Sequence, residues 1–314
     1  MRKRIGNRTV PTLTEAITAY LSQREVSGVR PHTVACERSL LHSLLRLVGD
    51  KPTDKVTIAD IEGAIARKRS EGLSTNSLNH LGRMSKRFFQ WLTASGLIEE
   101  NAIAGLRVVR VEQAKTKPMT REQVTRLLGV CDCERFSGAR NRLIIILLYD
   151  TGLRASEALG IRLTDIDMPA RSIQVIGKGG RPRRVCFGRQ VAAELQTYLA
   201  RRGDIKNHPW LFVDEWGTNR LTYDGLRHAM ERLADRAGLD DVRASCHTLR
   251  HSFAREWVLA GGDVASLSAQ LGHSNLEMTS RYVNTLLDDI AKVHERVSPA
   301  DRLTENYVGR KRRK

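Results

Sequence analysis

Residues 246–254 read C-H-T-L-R-H-S-F-A, and residues 271–284 read L-G-H-S-N-L-E-M-T-S-R-Y-V-N. A segment whose apolar residues have helical spacing separates these two motifs. Together they bring His247, Arg250, His273 and Tyr282 into one short stretch. These are phosphate-binding and proton-handling side chains followed by a hydroxyl nucleophile. Taken singly, each is better explained as a helix-cap or packing residue, so their meaning depends on the rest of the chain.

The composition indicates a folded and strongly basic protein. The chain has 314 residues, which suggests two domains, and 41% of them are hydrophobic, enough for buried cores. Its 52 lysines and arginines against 35 acidic residues give a net charge of +17. The basic residues 310–314 account for only a minor part of this excess. A basic folded body favours a polyanionic partner, nucleic acid first, whereas the alternative is a basic, well-solvated surface.

Cysteine usage and apolar runs predict a reduced, cytoplasmic protein without structural disulfides. The five cysteines are scattered along the chain: Cys36, Cys131, Cys133, Cys186 and Cys246. The N-terminus has no signal-peptide core, and the longest apolar run, residues 143–149, is too short to span a bilayer. Cys131 and Cys133 have a spacing that suggests zinc, but no second pair of ligands follows. We therefore expect no metal and no other cofactor.

Periodicity divides the chain into two domains. In the first, residues 1–106, a loose basic arm precedes helices that begin near residue 13 and cover about 31–48, 58–71 and 75–94. Residues 107–118 lack a buried face and end in proline, which predicts a linker. The second domain, residues 119–298, combines helices with a β-hairpin over 172–187, and residues 299–314 form a basic tail. The expected fold class is mainly α, with a small β-sheet in the second domain.

Basic side chains cluster on the last two predicted helices of the first domain. They are Arg67, Lys68, Arg69, Arg83, Lys86 and Arg87. Such side chains can bind DNA phosphates, and a solvated helical face explains them equally well.

Two further polar residues stand at a helix start and in a turn. Arg154 opens a helix after a buried apolar segment that Gly152 ends, where free backbone N–H groups favour anions. Lys178 lies in the glycine-flanked turn of the predicted hairpin, from which an ammonium group can protonate a leaving oxygen. With the residues of the opening stretch, they supply what a phosphoryl transfer without a metal needs: forked donors, a base, an acid and a nucleophile.

In their order and spacing, these motifs resemble the tyrosine recombinase (phage integrase) family over nearly the whole chain. The matching boxes are T-G-L-R-A-S-E-A-L at 151–159, with Glu157 as the supporting acid, G-K-G at 177–179, H-T-L-R-H-S-F-A at 247–254, and L-G-H-S at 271–274 followed by Tyr282. The N-terminal helices resemble the family's core-binding domain. Many members have proline where Cys246 stands, and Asn-Pro is frequent where this chain has Asn101-Ala102. The resemblance is to simple, Xer-like members without an arm-binding domain.

The resemblance implies a mechanism. Tyr282 would attack the scissile phosphate, form a 3′-phosphotyrosyl link and release a 5′-hydroxyl. Arg154, Arg250 and His273 would bind the phosphate, Lys178 would be the general acid and His247 the general base. Strand exchange would then pass through a Holliday junction.

The resemblance also implies the partners. They are double-stranded DNA with specific recombination sites, other copies of this chain in a homotetramer on that DNA, and, as an option, accessory DNA-bending proteins; a membrane is not among them. The tail helix is expected to dock on a neighbouring subunit through Leu286, Leu287, Ile290 and Val293, although packing on its own domain uses the same spacing.

Two other functions compete with recombination. A type IB topoisomerase uses similar chemistry as a monomer, and a catalytically silent DNA-binding protein would share the basic surface. His247 and His251 have a helical spacing that also suggests a metal pair, but an arginine lies between them. The motifs leave open whether the protein integrates, excises, transposes or resolves DNA.

Overall fold

The computed structural model describes residues 4–5, 8–107, 117–177, 180–202 and 208–272, together with His294. The chain divides into two compact units, Met1–Ala114 and Lys115–Lys314. Both are mainly helical, and the second carries a three-stranded antiparallel sheet. This confirms the predicted fold class.

The first unit is built on helices, which are α1 (Leu13–Val26), α2 (Pro31–Val48), α3 (Ile58–Ser70) and α4 (Thr75–Ala94). Threonines cap two of them: Thr12 and Thr57 each accept a hydrogen bond from the third residue of the helix, whose carboxylate bonds back to the cap. These elements lie close to the ranges that periodicity predicts. The expected loose arm differs, because the short strands β1 (Arg4–Ile5) and β2 (Arg8–Thr9) pair in it.

Aromatic rings form part of the mainly aliphatic core of the first unit. Tyr20, Phe88 and Phe89 are almost completely buried, and the ring centroids of Tyr20 and Phe88 lie 5.6 Å apart in an edge-to-face arrangement. Leucines at helical spacing on α2, including Leu41 and Leu44, are buried in the same core. The apolar faces of the helices therefore meet as their periodicity requires.

The first unit also contains a buried carboxylate. Glu37 on α2 is only 4% exposed. It accepts hydrogen bonds from Nε and Nη2 of Arg24 at 2.9 and 3.0 Å, and from Nη1 of Arg87 at 3.0 Å. Burial raises the pKa of Glu37, but the hydrogen bonds and charges of the two arginines outweigh it and lower the pKa below the ordinary glutamate value. The charged carboxylate thus connects α1, α2 and α4.

The helices described in the second unit are α5 (Arg121–Gly129), α6 (Phe136–Thr151), α7 (Ala155–Leu159), α8 (Arg189–Arg202), α9 (Tyr223–Arg236), α10 (Cys246–Leu259) and α11 (Val264–Leu271). The strands β3 (Ile166–Asp167), β4 (Ser172–Ile176) and β5 (Pro182–Cys186) form its sheet in the order β3-β4-β5. Ile173 pairs with Val185, and both side chains are buried against the helices. Periodicity predicted the hairpin but not β3.

Helix α6 is the centre of the second unit, because its run of residues 143–148 is buried on all sides. It packs against α8 and α10. Gly152 ends it in the left-handed conformation, with φ of 62°. A Cβ at this position would lie 2.4 Å from the Phe253 ring and 2.6 Å from Leu271. Only glycine allows both this turn and the close packing, and the turn positions the start of α7.

Among the described residues, none of the helices has the length and apolar character that crossing a bilayer requires.

We expect Glu37→Gln to lower the free energy of unfolding by about 1–3 kcal/mol, because charged hydrogen bonds to two arginines are lost in a buried place. Since folding lowers the pKa of Glu37, its contribution is complete above the ordinary glutamate pKa and disappears as the pH falls through the folded-state pKa. Urea unfolding of the full chain, followed by far-UV circular dichroism at several pH values, measures both effects.

The control is Glu25→Gln, which removes the exposed ion pair between Glu25 and Arg38. Its cost should stay below about 1 kcal/mol. Equal costs for the two substitutions, or a cost of Glu37→Gln that grows on acidification, would contradict the assignment.

Candidate active site

Arg154 and Glu157 form the first part of the site at the start of α7. Arg154 is the N-cap residue, and its backbone N–H donates to Oε2 of Glu157 at 2.9 Å. Its Nη1 donates to Oε1 of the same carboxylate, also at 2.9 Å. The Glu157 side chain is 3% exposed and that of Arg154 is 31% exposed. The carboxylate is therefore an internal support, while the guanidinium reaches the surface.

A second arginine holds the same carboxylate from β5. Nη1 and Nη2 of Arg183 donate to Oε1 and Oε2 of Glu157 at 2.7 and 3.0 Å. Burial raises the pKa of Glu157, but the hydrogen bonds from Arg183 and from the Arg154 backbone, with the charges of both arginines, lower it below the ordinary value. Glu157 is thus ionised at neutral pH and balances part of the positive charge around it.

Arg250 on α10 completes the arginine cluster. It is 4% exposed, its Nη1 donates to the carbonyl of Gly152, and its Nη2 donates to the carbonyl of Leu271 at 2.9 Å. Nη2 of Arg154 lies 3.4 Å from the carbonyl oxygen of Gly272. The two arginines that the sequence motifs singled out therefore meet at the C-terminal end of α11, although they are far apart in the chain.

His247 and His251 form a pair one helical turn apart on α10. Their Nε2 atoms are 2.8 Å apart and their rings are perpendicular. One Nε2 must donate and the other accept, so the pair does not hold two protonated rings in this arrangement. Burial and the positive charge of Arg250 lower the pKa of His247. Burial, His247 and Arg250 lower the pKa of His251 to about 4. His247 is exposed and can meet a substrate.

Residues that could hold a metal do not converge in the described part of the chain. No group of three or more His, Cys, Asp or Glu side chains there has a metal-binding arrangement. The cysteines described there are free thiols.

Several residues predicted from the sequence lie outside the described residues. In the site these are Lys178, His273 and Tyr282, and in the tail they are Leu286, Leu287, Ile290 and Val293. Gly272, the residue before His273, is described and is the left-handed cap of α11.

The predicted DNA-binding residues of the first unit fall into two groups. Some bind the protein itself: Arg67 the carbonyl of Leu47, Lys68 the carboxylate of Glu71, and Arg87 that of Glu37. The remaining ones form no ion pair within the described ranges: Arg69, Arg83 and Lys86. Within the described ranges, the side chains of the second group are therefore not engaged by a carboxylate of the protein.

Arg183 is the site residue that the sequence motifs missed. The only signal was strand alternation: in residues 181–184, R-P-R-R, it lies between neighbours whose side chains are exposed. Nothing local indicates that this arginine contacts Glu157 on α7.

Comparison with known proteins assigns the chain to a family. Residues 117–287 match the Phage integrase family. Tyrosine recombinase XerC of Chromobacterium violaceum is 32% identical over 290 residues, which cover 92% of this chain and 96% of that protein. The chain therefore belongs to the phage integrase family of tyrosine recombinases.

Solved structures agree in fold. One is the Tn1549 transposon integrase in complex with transposon right end DNA, 22% identical with a TM-score of 0.72, covering 90% of this chain and 99% of that one. Another is a lambda integrase dimer bound to a core site, 18% identical with a TM-score of 0.72, covering 85% and 97% of the two chains.

We expect His251 to stay neutral from about pH 8 to about pH 5, because burial, the neighbouring His247 and the charge of Arg250 oppose its protonation. Its imidazole resonances in a pH titration of the labelled protein should show a midpoint near 4. In His247→Phe the midpoint should rise, because one of the neighbouring charges is removed. A wild-type midpoint at the ordinary histidine value, about 6.5, would contradict the packing of this pair.

Proposed function

We propose that this protein is a site-specific DNA recombinase, an enzyme that cuts and rejoins DNA through a covalent link to Tyr282. The observation that carries the proposal is the meeting of Arg154 and Arg250 at the end of α11, one residue before His273. Two guanidinium groups at a helix end, on an ionised carboxylate support, can bind a phosphodiester and the extra charge of its transition state. Membership of the tyrosine recombinase family supports the same reaction.

The chemistry proceeds by exchange of one phosphorus–oxygen bond for another. The Tyr282 hydroxyl attacks the scissile phosphorus, and His247 takes its proton. Arg154, Arg250 and His273 bind the phosphate oxygens, and the 5′-oxygen leaves with a proton from Lys178. The product is a 3′-phosphotyrosyl link, which keeps the energy of the phosphodiester. The 5′-hydroxyl of a partner strand reverses the step, and two rounds of exchange pass through a Holliday junction.

DNA binding in this proposal uses both units. The first unit is the core-binding domain, and the exposed or half-buried Arg69, Arg83 and Lys86 contact phosphates. Residues 107–118 act as the linker and 119–298 as the catalytic domain. Four copies assemble on two duplexes in the nucleoid, and residues 286–293 dock on a neighbouring subunit. Integration, excision, transposition and dimer resolution all use this chemistry.

Substitution of the nucleophile tests the proposal. A duplex is first selected by the full-length protein from a randomised pool, and nicked versions of it serve as substrates. Wild type should form a protein–DNA adduct that resists denaturation, and Tyr282→Phe should form none while binding the duplex normally. A wild type without adduct, or an adduct with Tyr282→Phe, excludes the assignment. Joined products from two different duplexes distinguish a recombinase from a type IB topoisomerase, which relaxes supercoils without them.

Arg154 and Arg83 should separate cleavage from binding. Arg154→Ala removes a transition-state donor, so the rate of adduct formation at saturating DNA should fall about 100–1000-fold, with little change in affinity. Arg83→Ala is the matched loss of one charge. Its affinity for DNA should fall, and the slope of log affinity against log salt concentration should become less steep by about one. Its rate of adduct formation at saturating DNA should not change. Parallel losses of binding and rate for Arg154→Ala would contradict its role.

A further inference from the structure

Arg183 joins Glu157 to the C-terminal end of α11. Besides its two bonds to the carboxylate, its Nε donates to the carbonyl of Gln270 at 3.4 Å, and its Nη2 to that of Leu271 at 3.3 Å. A helix C-terminus has unsatisfied carbonyls and a partial negative charge. One guanidinium therefore stabilises a buried carboxylate and a helix end at the same time.

The orientation of Arg154 depends on Arg183 through Glu157. Arg183 binds both oxygens of the Glu157 carboxylate, and such a bidentate ion pair fixes the plane of the carboxylate. Arg154 binds the same two oxygens, through its Nη1 and its backbone N–H. A carboxylate free to rotate would hold the Arg154 guanidinium in several directions.

The end of α11 is fitted closely around the Arg183 side chain. Gly272 has φ of 64°, and a Cβ there would lie 2.6 Å from Cζ of Arg183. The amide of Gln270 adds a second connection, donating to the carbonyl of Cys186 on β5 at 2.7 Å. The end of α11, up to Gly272, is therefore held against β5.

We infer that Arg183 is a positioning residue for recombination, which holds Glu157 and the end of α11 so that Arg154 meets the scissile phosphate in the reactive orientation. The inference rests on the proposed function. In this inference Arg183 acts within the protein and not on the DNA, because two of its guanidinium nitrogens are paired with the Glu157 carboxylate and the third donates to the carbonyl of Gln270. By contrast, Nε of Arg154 has no acceptor among the described residues.

The first test is the rate of adduct formation by the full-length protein on the nicked, selected duplex. For Arg183→Ala, the rate at saturating DNA should fall about 10–100-fold, as expected for loss of a supporting group, while the dissociation constant stays within about threefold. Arg183→Lys keeps the charge and one donor, so it should recover part of the rate. Arg184→Ala, an equal loss of charge at the exposed neighbour on β5, should keep the wild-type rate.

A double-mutant cycle with Glu157→Gln distinguishes positioning from other roles. If Arg183 acts through Glu157, adding Arg183→Ala to Glu157→Gln should slow cleavage much less than it slows the wild type. If the two substitutions slow cleavage by factors that multiply, the inference is wrong. It is also wrong if the dissociation constant of Arg183→Ala rises as much as its cleavage rate falls. Thermal unfolding establishes that each variant is folded; if Arg183→Ala is not, the same cycle is run with Arg183→Lys.

The outcomes also separate this inference from the proposed function. If wild type forms no adduct, the proposed function is wrong and the inference with it. If wild type forms the adduct and Arg183→Ala forms it at the same rate, only the inference is wrong.

Discussion

The described part of the site depends on the C-terminal end of α11. A helix leaves its last carbonyls without partners, and here arginines provide the donors. Arg154, Arg183 and Arg250 bond to carbonyls of residues 270–272. They come from the start of α7, from β5 and from α10, so a single helix end holds three distant segments of the chain together. These bonds lie within the protein, so the fold itself orients the three arginines.

Charge explains why the cluster suits an anion. Two arginines, Arg154 and Arg183, bind the one buried carboxylate of Glu157, and Arg250 bonds to the same helix end, so these four side chains together carry a positive charge. The positive charges of the arginines repel one another, and Glu157 and the helix carbonyls offset only part of this repulsion. A phosphate would supply the missing negative charge, and a transition state with more charge would supply it better. Donors that the fold holds in place need little reorganisation during a reaction, which is a general source of electrostatic catalysis.

Local patterns in the sequence predicted most of the helices and the place of Arg154 at the start of a helix. α2 and α4 were predictable because their apolar faces repeat at helical spacing, and Arg154 because Gly152 must end the buried α6. The two-residue strand β3 is too short to show a pattern. Arg183 and the buried Glu37 were not predictable, because their partners lie far away in the chain and sequence spacing does not reveal contacts between elements.

Arg154 and Arg250, the two arginines of the sequence motifs, have different surroundings in the folded protein. Arg250 is almost fully buried and bonds to the carbonyls of Gly152 and Leu271, so it joins the end of α6 to the end of α11. Its replacement would remove the Arg250 donor from the carbonyl of Gly152 and leave that of Leu271 with only the longer bond from Arg183, which would destabilise the fold itself. Arg154 is partly exposed, and its partner Glu157 keeps a second arginine when Arg154 is removed. If Arg154 binds the phosphate as proposed, its substitution measures that role separately from stability, whereas an inactive Arg250 variant would not distinguish the two.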